Sequence, residues 1–295
     1  MYRTNMNLNN TGNPVHNEAA LRLQEKRNEV AKAMRWPIIG AFFLIIPPIG
    51  LGLIFIGYFK LVKAQRGMEE LYKDAFVKEP LLNNFENVIY EPEGGLPYQT
   101  VKNASLFKMG NRYSSEDYIR AIYAGVDFEV AQIKVMYVDN SDDGHGSETY
   151  FDGRIMTFDF PDKLVSSILV YSHKFKHRAV KQKDVKNDRV ELEATQFNKD
   201  FDVYSQVPHD VFYLFTPHLM EKLQILAGKY ESIAMNVVGN RVILAFNEPG
   251  NNAFDQKISI GKLDYDAEIN KVQSDIDDIK NFITLFLNIK NGREY

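Results

Sequence analysis

The chain has 295 residues, no cysteine, and 35 basic against 39 acidic side chains, a formal charge of −4. Without a thiol it forms no disulfide, holds no cysteine nucleophile and builds no cysteine-ligated zinc or iron–sulfur site. The charge is uneven: residues 1–79 hold 11 basic and 7 acidic groups (+4) and residues 80–295 hold 24 and 32 (−8), so the larger part is a poor general binder of nucleic acid.

Residues 1–16, rich in Asn and Thr, read as a disordered tail. Residues 17–36 form an amphipathic helix by pattern, capped by Asn17, with Leu23, Val30 and Met34 on one side. Residues 37–59, PIIGAFFLIIPPIGLGLIFIGYF, carry no charge. About 20 apolar residues cross the roughly 30 Å hydrocarbon layer, so the run predicts a membrane anchor. Pro47-Pro48 disfavours a straight helix there, and Gly50 and Gly52 add turn freedom. Two topologies remain open: a re-entrant hairpin with arms 38–46 and 49–59, and a kinked single span.

Arg22, Lys26, Arg27, Lys32 and Arg35 precede the run, and Lys60, Lys63, Arg66, Lys73 and Lys78 follow it. This balance gives no positive-inside bias and is the pattern expected if both flanks face the cytoplasm. Trp36 and Tyr58 sit at membrane-interface positions. Residues 60–80 read as a connecting helix closed by Pro80.

Residues 81–295 form the globular domain. Asn87–Tyr90 is extended, and a short helix is expected near Tyr98–Leu106. From Asp117 apolar residues alternate: Ile119, Ala121 and Tyr123, then Val126, Phe128 and Val130, then Ile133, Val135 and Tyr137. Tyr150–Phe160 and Leu164–Tyr171 continue in the same way. A period of two predicts antiparallel strands. The strand-like segments Val190–Leu192, Phe201–Tyr204 and Val211–Phe215 follow. Thr216-Pro217 starts a helix, with threonine as N-cap and proline first inside it. Ser232–Val238, the Gly239-Asn240 turn and Val242–Phe246 form a hairpin. Tyr265–Ile289 is a long helix whose Ile269, Val272, Ile276, Ile279, Ile283 and Phe286 follow heptad spacing. That stripe suits either the domain's own sheet or a second copy of the chain. The fold class is α+β: a membrane anchor, then an antiparallel sheet with edge helices and a long C-terminal helix.

Four strings carry a resemblance: Tyr90-Glu91-Pro92 with Gly94; Tyr123 to Glu129; Phe197 to Phe201 running into Val203-Tyr204-Ser205; and Phe215 to Leu223. Over most of residues 60–290 the chain resembles a family of bacterial membrane proteins known only as a domain of unknown function. The resemblance implies a short hydrophobic anchor, usually two passes, before a cytoplasmic α+β domain. This chain departs in having one short, proline-broken stretch.

Catalytic signatures do not emerge: there is no phosphate-binding GxxxxGK[ST] loop and no GxSxG elbow. Asp139-Asn140-Ser141-Asp142-Asp143-Gly144 touches a calcium-loop pattern, but Tyr150 stands where the bidentate glutamate belongs. His173 and His177 have a metal-ligand spacing without an intervening glutamate. Asp142-Asp143 and Asp277-Asp278 read as surface pairs. The distinctive feature is a basic run, Lys174, Lys176, Arg178, Lys181, Lys183, Lys186 and Arg189, set against only Asp184 and Asp188. In an acidic domain such a run is a candidate site for an anion or for anionic lipid.

The sequence therefore predicts a membrane-anchored, non-enzymatic protein of the cell membrane, its bulk cytoplasmic. Its domain would bind a membrane or cytoplasmic protein, or the lipid surface. No cofactor, metal or nucleic acid is expected, and homo-oligomers could form through the C-terminal helix. The competing expectation is a membrane-associated enzyme, such as a hydrolase, whose site is assembled from distant residues.

Overall fold

A computed structural model describes residues 14–35, 47–139, 141, 146–179, 188–249 and 265–292. The chain divides into two units, Met1–Asn83 with Phe254–Ser274 and Asn84–Ala253 with Asp275–Tyr295.

In the first unit, helix α1 (Pro14–Ala33) packs on helix α2 (Pro47–Tyr72). Among its described side chains Leu23, Val30 and Ala33 are buried, and their helical spacing places them on one face. Helix α2 begins at the Pro47-Pro48 pair. The first turn has no intrahelical acceptor for its N–H groups, so prolines are tolerated there. Past Tyr72 the helix widens into a π turn, Lys73–Lys78, and continues as α3 (Glu79–Asn84). Pro80 therefore lies inside the helical path, where the sequence reading had ended it. A proline crowds the carbonyl four residues back, and a π turn just before it opens that spacing. Tyr72 and Phe76 stack at 5.2 Å, buried with Met68, Val77 and Leu81. No helix among the described residues is long and apolar enough to cross a membrane. Residues 37–46 of the uncharged run lie outside them.

The second unit is built on a nine-stranded antiparallel sheet. Its strands are β1 (Glu86–Glu91), β2 (Arg112–Tyr123), β3 (Val126–Val138), β4 (Ser147–Asp159), β5 (Val165–Ser172), β6 (Arg189–Val190), β7 (Phe201–Tyr204), β8 (Ser232–Gly239) and β9 (Arg241–Asn247). Their spatial order is β1-β2-β3-β4-β9-β8-β5-β7-β6. Two tight turns fix the register: Ala124-Gly125 between β2 and β3, with φ of 51° and 78°, and Gly239-Asn240 between β8 and β9.

Register assigns the faces. Val130, Met156, Leu244, Met235, Val170 and Val203 lie in one row; Ala131, Ile155, Ala245, Ala234, Tyr171 and Asp202 lie in the next, on the opposite face. The first face meets the later half of the C-terminal helix α8 (Tyr265–Lys290), with Phe282 5.9 Å from Phe158 and Phe286 5.6 Å from Phe160. Ile276, Ile279, Ile283 and Phe286, four of the heptad positions, are at most 1% exposed. A second copy would thus have to pair through another face. The opposite face is covered by α4 (Tyr98–Asn103) and the segment after it, with Phe107 stacked on Phe151 at 4.2 Å. Helices α5 (Thr195–Asp200), α6 (Pro208–Leu214) and α7 (Pro217–Lys229) complete the unit. Val211–Leu214 is helical where the sequence reading had it strand-like. Pro208 opens that helix, and Val211 and Leu214, three apart, bury one side of it.

Candidate functional site

The basic run begins where β5 ends. His173 N–H donates to the Asp200 carbonyl at 2.8 Å, and Phe175 N–H to the Ser172 carbonyl at 3.0 Å. Phe175 is buried 5.6 Å from Tyr171, while Lys174 and Lys176 on either side of it are exposed. Lys108 N–H then donates to the His177 carbonyl at 2.9 Å and Ala179 N–H to the Leu106 carbonyl at 3.3 Å. An apolar anchor and backbone bonds at both ends hold this turn in one geometry.

The two arginines do different work from the lysines. Arg178 Nη1 donates to Asp202 Oδ2 at 2.7 Å, its Nε and Nη2 to the carbonyls of Phe175 and Ser172, and its guanidinium lies 4.9 Å from the Tyr171 ring centre. Arg189 Nη2 and His173 Nε2 each stand 3.3 Å from Asp202 Oδ1. The Asp202 side chain is 7% exposed. Burial alone would push its carboxyl up, but the hydrogen bond and charge of Arg178, with His173 and Arg189, outweigh burial and hold it below the usual range. Arg178 and Arg189 thus serve as clamps that tie the start and the end of the basic segment to β7. Lys181, Lys183 and Lys186 lie outside the described residues, as does Trp36.

Beside the turn is a cavity of about 200 Å³ lined by Thr149, Tyr150, Lys174, Phe175, Lys176, His177 and Ser232, with Asp152, Glu231, Asn247 and Pro249. Lys134 Nζ pairs with Asp152 at 2.9 Å, and Asn247 Nδ2 donates to Glu231 Oε2 at 3.3 Å. His177 stands 3.7 Å from Glu148 and its ring 4.9 Å from that of Tyr150. The two histidines therefore face different carboxylates. No three His, Cys, Asp or Glu residues gather as a metal site among the described residues. Most of the calcium-like segment lies outside those residues; Asp139 Oδ1 accepts from the Ser141 N–H at 3.0 Å.

A second charged cluster lies under the sheet's other face. Asp278 accepts from Lys222 and Lys229, both at 2.8 Å; Asp275 stands 3.3 Å from Arg154 and 3.5 Å from Lys229. Burial favours the neutral Asp278 carboxyl, but the two lysines outweigh it and lower its pKa. Of the presumed surface pair Asp277-Asp278, only Asp277 is exposed. This cluster fastens α8 to α7 and β4. In the first unit, the interface candidate Tyr58 is exposed on α2 together with Phe55, Ile56 and Phe59.

Sequence reasoning found the basic run but not its division of labour. In the strand FDVY alternation sets Asp202 apart from Phe201 and Val203 and so marks it as outward-facing, whereas all four residues are buried.

Residues 149–288 match the model of a family described as a protein of unknown function, DUF3137. No curated protein matches the chain. Among solved structures, the mycobacterial trehalose monomycolate transport factor A, TtfA, aligns over 73% of this chain and 96% of its own at 12% identity, with a TM-score of 0.36. A likeness that weak carries no argument about function. The second half of this chain is thus similar to an uncharacterised domain family.

Proposed function

We propose that the protein is a membrane-anchored binding protein of the cell membrane, held by residues 37–59, whose cytoplasmic α+β domain engages an anionic partner through its basic segment. The observation that carries this reading is on α2. Phe55, Ile56, Tyr58 and Phe59 are 65%, 49%, 61% and 63% exposed in one helical turn that closes the uncharged run. Four large apolar side chains in one exposed turn favour lipid or a partner over water.

One finding favours the hairpin: α1 packs on α2, which brings together the helices on either side of residues 37–46. With no charge bias between the flanks, both ends then lie on one side.

Flotation of the full-length chain with phospholipid vesicles tests the anchor. The wild-type chain is expected to float and to resist alkaline carbonate. Phe55→Glu/Phe59→Glu should shift it towards the soluble fraction, because each substitution removes an exposed apolar ring and adds a charge to the run, at a cost below the roughly 2.5–3.5 kcal/mol of mid-bilayer depth. Carbonate extraction of the wild-type chain would count against anchoring.

A further inference from the structure

We infer that the cavity beside the Lys174–His177 turn binds a phosphoryl anion, either free or as a lipid headgroup. The inference rests on the second unit alone and stands whether or not the chain is anchored. It names the chemistry the basic segment recognises.

The charge points there first. The Asp202 clamp takes up the nearby guanidinium groups of Arg178 and Arg189. Lys174 and Lys176 make no ion pair or hydrogen bond among the described residues, yet their backbone is fixed between the buried Phe175 ring and the Lys108–His177 bond. Both lysines line one cavity, while the guanidinium groups of Arg178 and Arg189 are already engaged. Lysine binds phosphate as a point charge, and a tetrahedral anion accepts from several directions at once.

The floor points the same way. Ser232 lines the cavity at 3% exposure, and its hydroxyl makes no hydrogen bond among the described residues. Thr149 and the His177 ring add donors at the wall. The cavity of about 200 Å³ is smaller than the roughly 300–1,000 Å³ typical of sites that enclose a whole drug-sized ligand. It suits a head group. Of the two lining carboxylates, Asp152 is compensated by Lys134, whereas among the described residues the Glu231 side chain is held only by the Asn247 amide. Glu231 opposes an anion and so provides a signed test.

The test titrates the full-length chain in non-ionic detergent with inorganic phosphate, glycerol 3-phosphate and dihexanoyl phosphatidic acid, read by calorimetry. Lys174→Ala/Lys176→Ala should weaken binding roughly tenfold or more. Lys102→Ala/Lys163→Ala, which removes the same charge elsewhere, should stay within about twofold. Ser232→Ala should weaken binding about threefold with no change in charge, and Glu231→Gln should strengthen it. Thermal unfolding of each variant confirms that it is folded. Binding of the free anions identifies a soluble phosphate; binding of the phosphatidic acid alone identifies a lipid headgroup. Either outcome supports the site if the variants follow this pattern. The inference is overturned if none of the three probes binds, if the Lys174/Lys176 variant binds as wild type, or if the control pair loses as much.

Discussion

Asp202→Asn removes one charge and almost no volume from the hub that ties the basic segment to β7. Breaking a buried ion pair by deleting one partner costs about 3–5 kcal/mol, because the other charge is left buried. Here the loss should fall below that range. The Arg178 side chain is 16% exposed and keeps two carbonyl acceptors, and Arg189 and His173 reach solvent at 36% and 43%. A loss of about 2–3 kcal/mol follows. For a domain of 150–250 residues each kcal/mol moves the melting temperature by about 2–4 °C, so a fall of about 4–12 °C is expected. Circular dichroism melting of the full-length chain in detergent measures it, and hydrogen exchange should show the faster opening at residues 173–179 and 201–204. The pH dependence has a definite sign. Asp202 has a folded pKa below its unfolded value of about 3.9, so its contribution is complete above that pH and is lost as pH falls through the folded pKa. The gap between wild type and variant should therefore be widest near neutrality and narrow below about pH 4. A variant melting within a degree of wild type at neutral pH would refute the role given to Asp202.

Three further substitutions probe the frame around the site. Asp275→Ala removes the carboxylate 3.3 Å from Arg154, whose side chain is 3% exposed; a loss of about 3 kcal/mol or more in chemical denaturation is expected, at least as large as that of Asp202→Asn. Ala124→Asn places a residue that tolerates positive φ where Ala124 sits at 51°, completing an Asn-Gly hairpin turn; a gain of about 0.5–1 kcal/mol should appear as a higher melting temperature. Gly153→Ala brings a Cβ to 2.0 Å from the Phe246 carbonyl oxygen, so β4 and β9 must separate. A loss of about 1–3 kcal/mol is expected, with faster hydrogen exchange in both strands.

Much of the sheet was legible because its side chains alternate. Residues 126–138 carry the period through two successive apolar sets, and they form the single strand β3. Two kinds of element escaped. The first half of β2, Arg112–Glu116, is polar, and its strand character comes from pairing with Met136 to Gln132 rather than from its own letters. Helix α6 was hidden by Val211, Phe212 and Phe215, residues with strand preference that tertiary burial of Val211 and Leu214 overrides. The site was half legible. Charge density exposed the lysines, but no local pattern announces that two arginines of the same run converge on an aspartate in a different strand. Nor does spacing reveal the cavity floor, where Ser232 and Asn247 meet only through β8–β9 pairing.

The central claim is an anchor with both ends of the chain on the cytoplasmic side. Because the chain has no native cysteine, single cysteines at Asn10→Cys and Asn291→Cys can be labelled with a membrane-impermeant maleimide in right-side-out and inverted vesicles. A hairpin anchor predicts that both sites react only in inverted vesicles, from a protein that stays with the membrane. Reaction of the two sites from opposite faces would contradict it and show a single crossing.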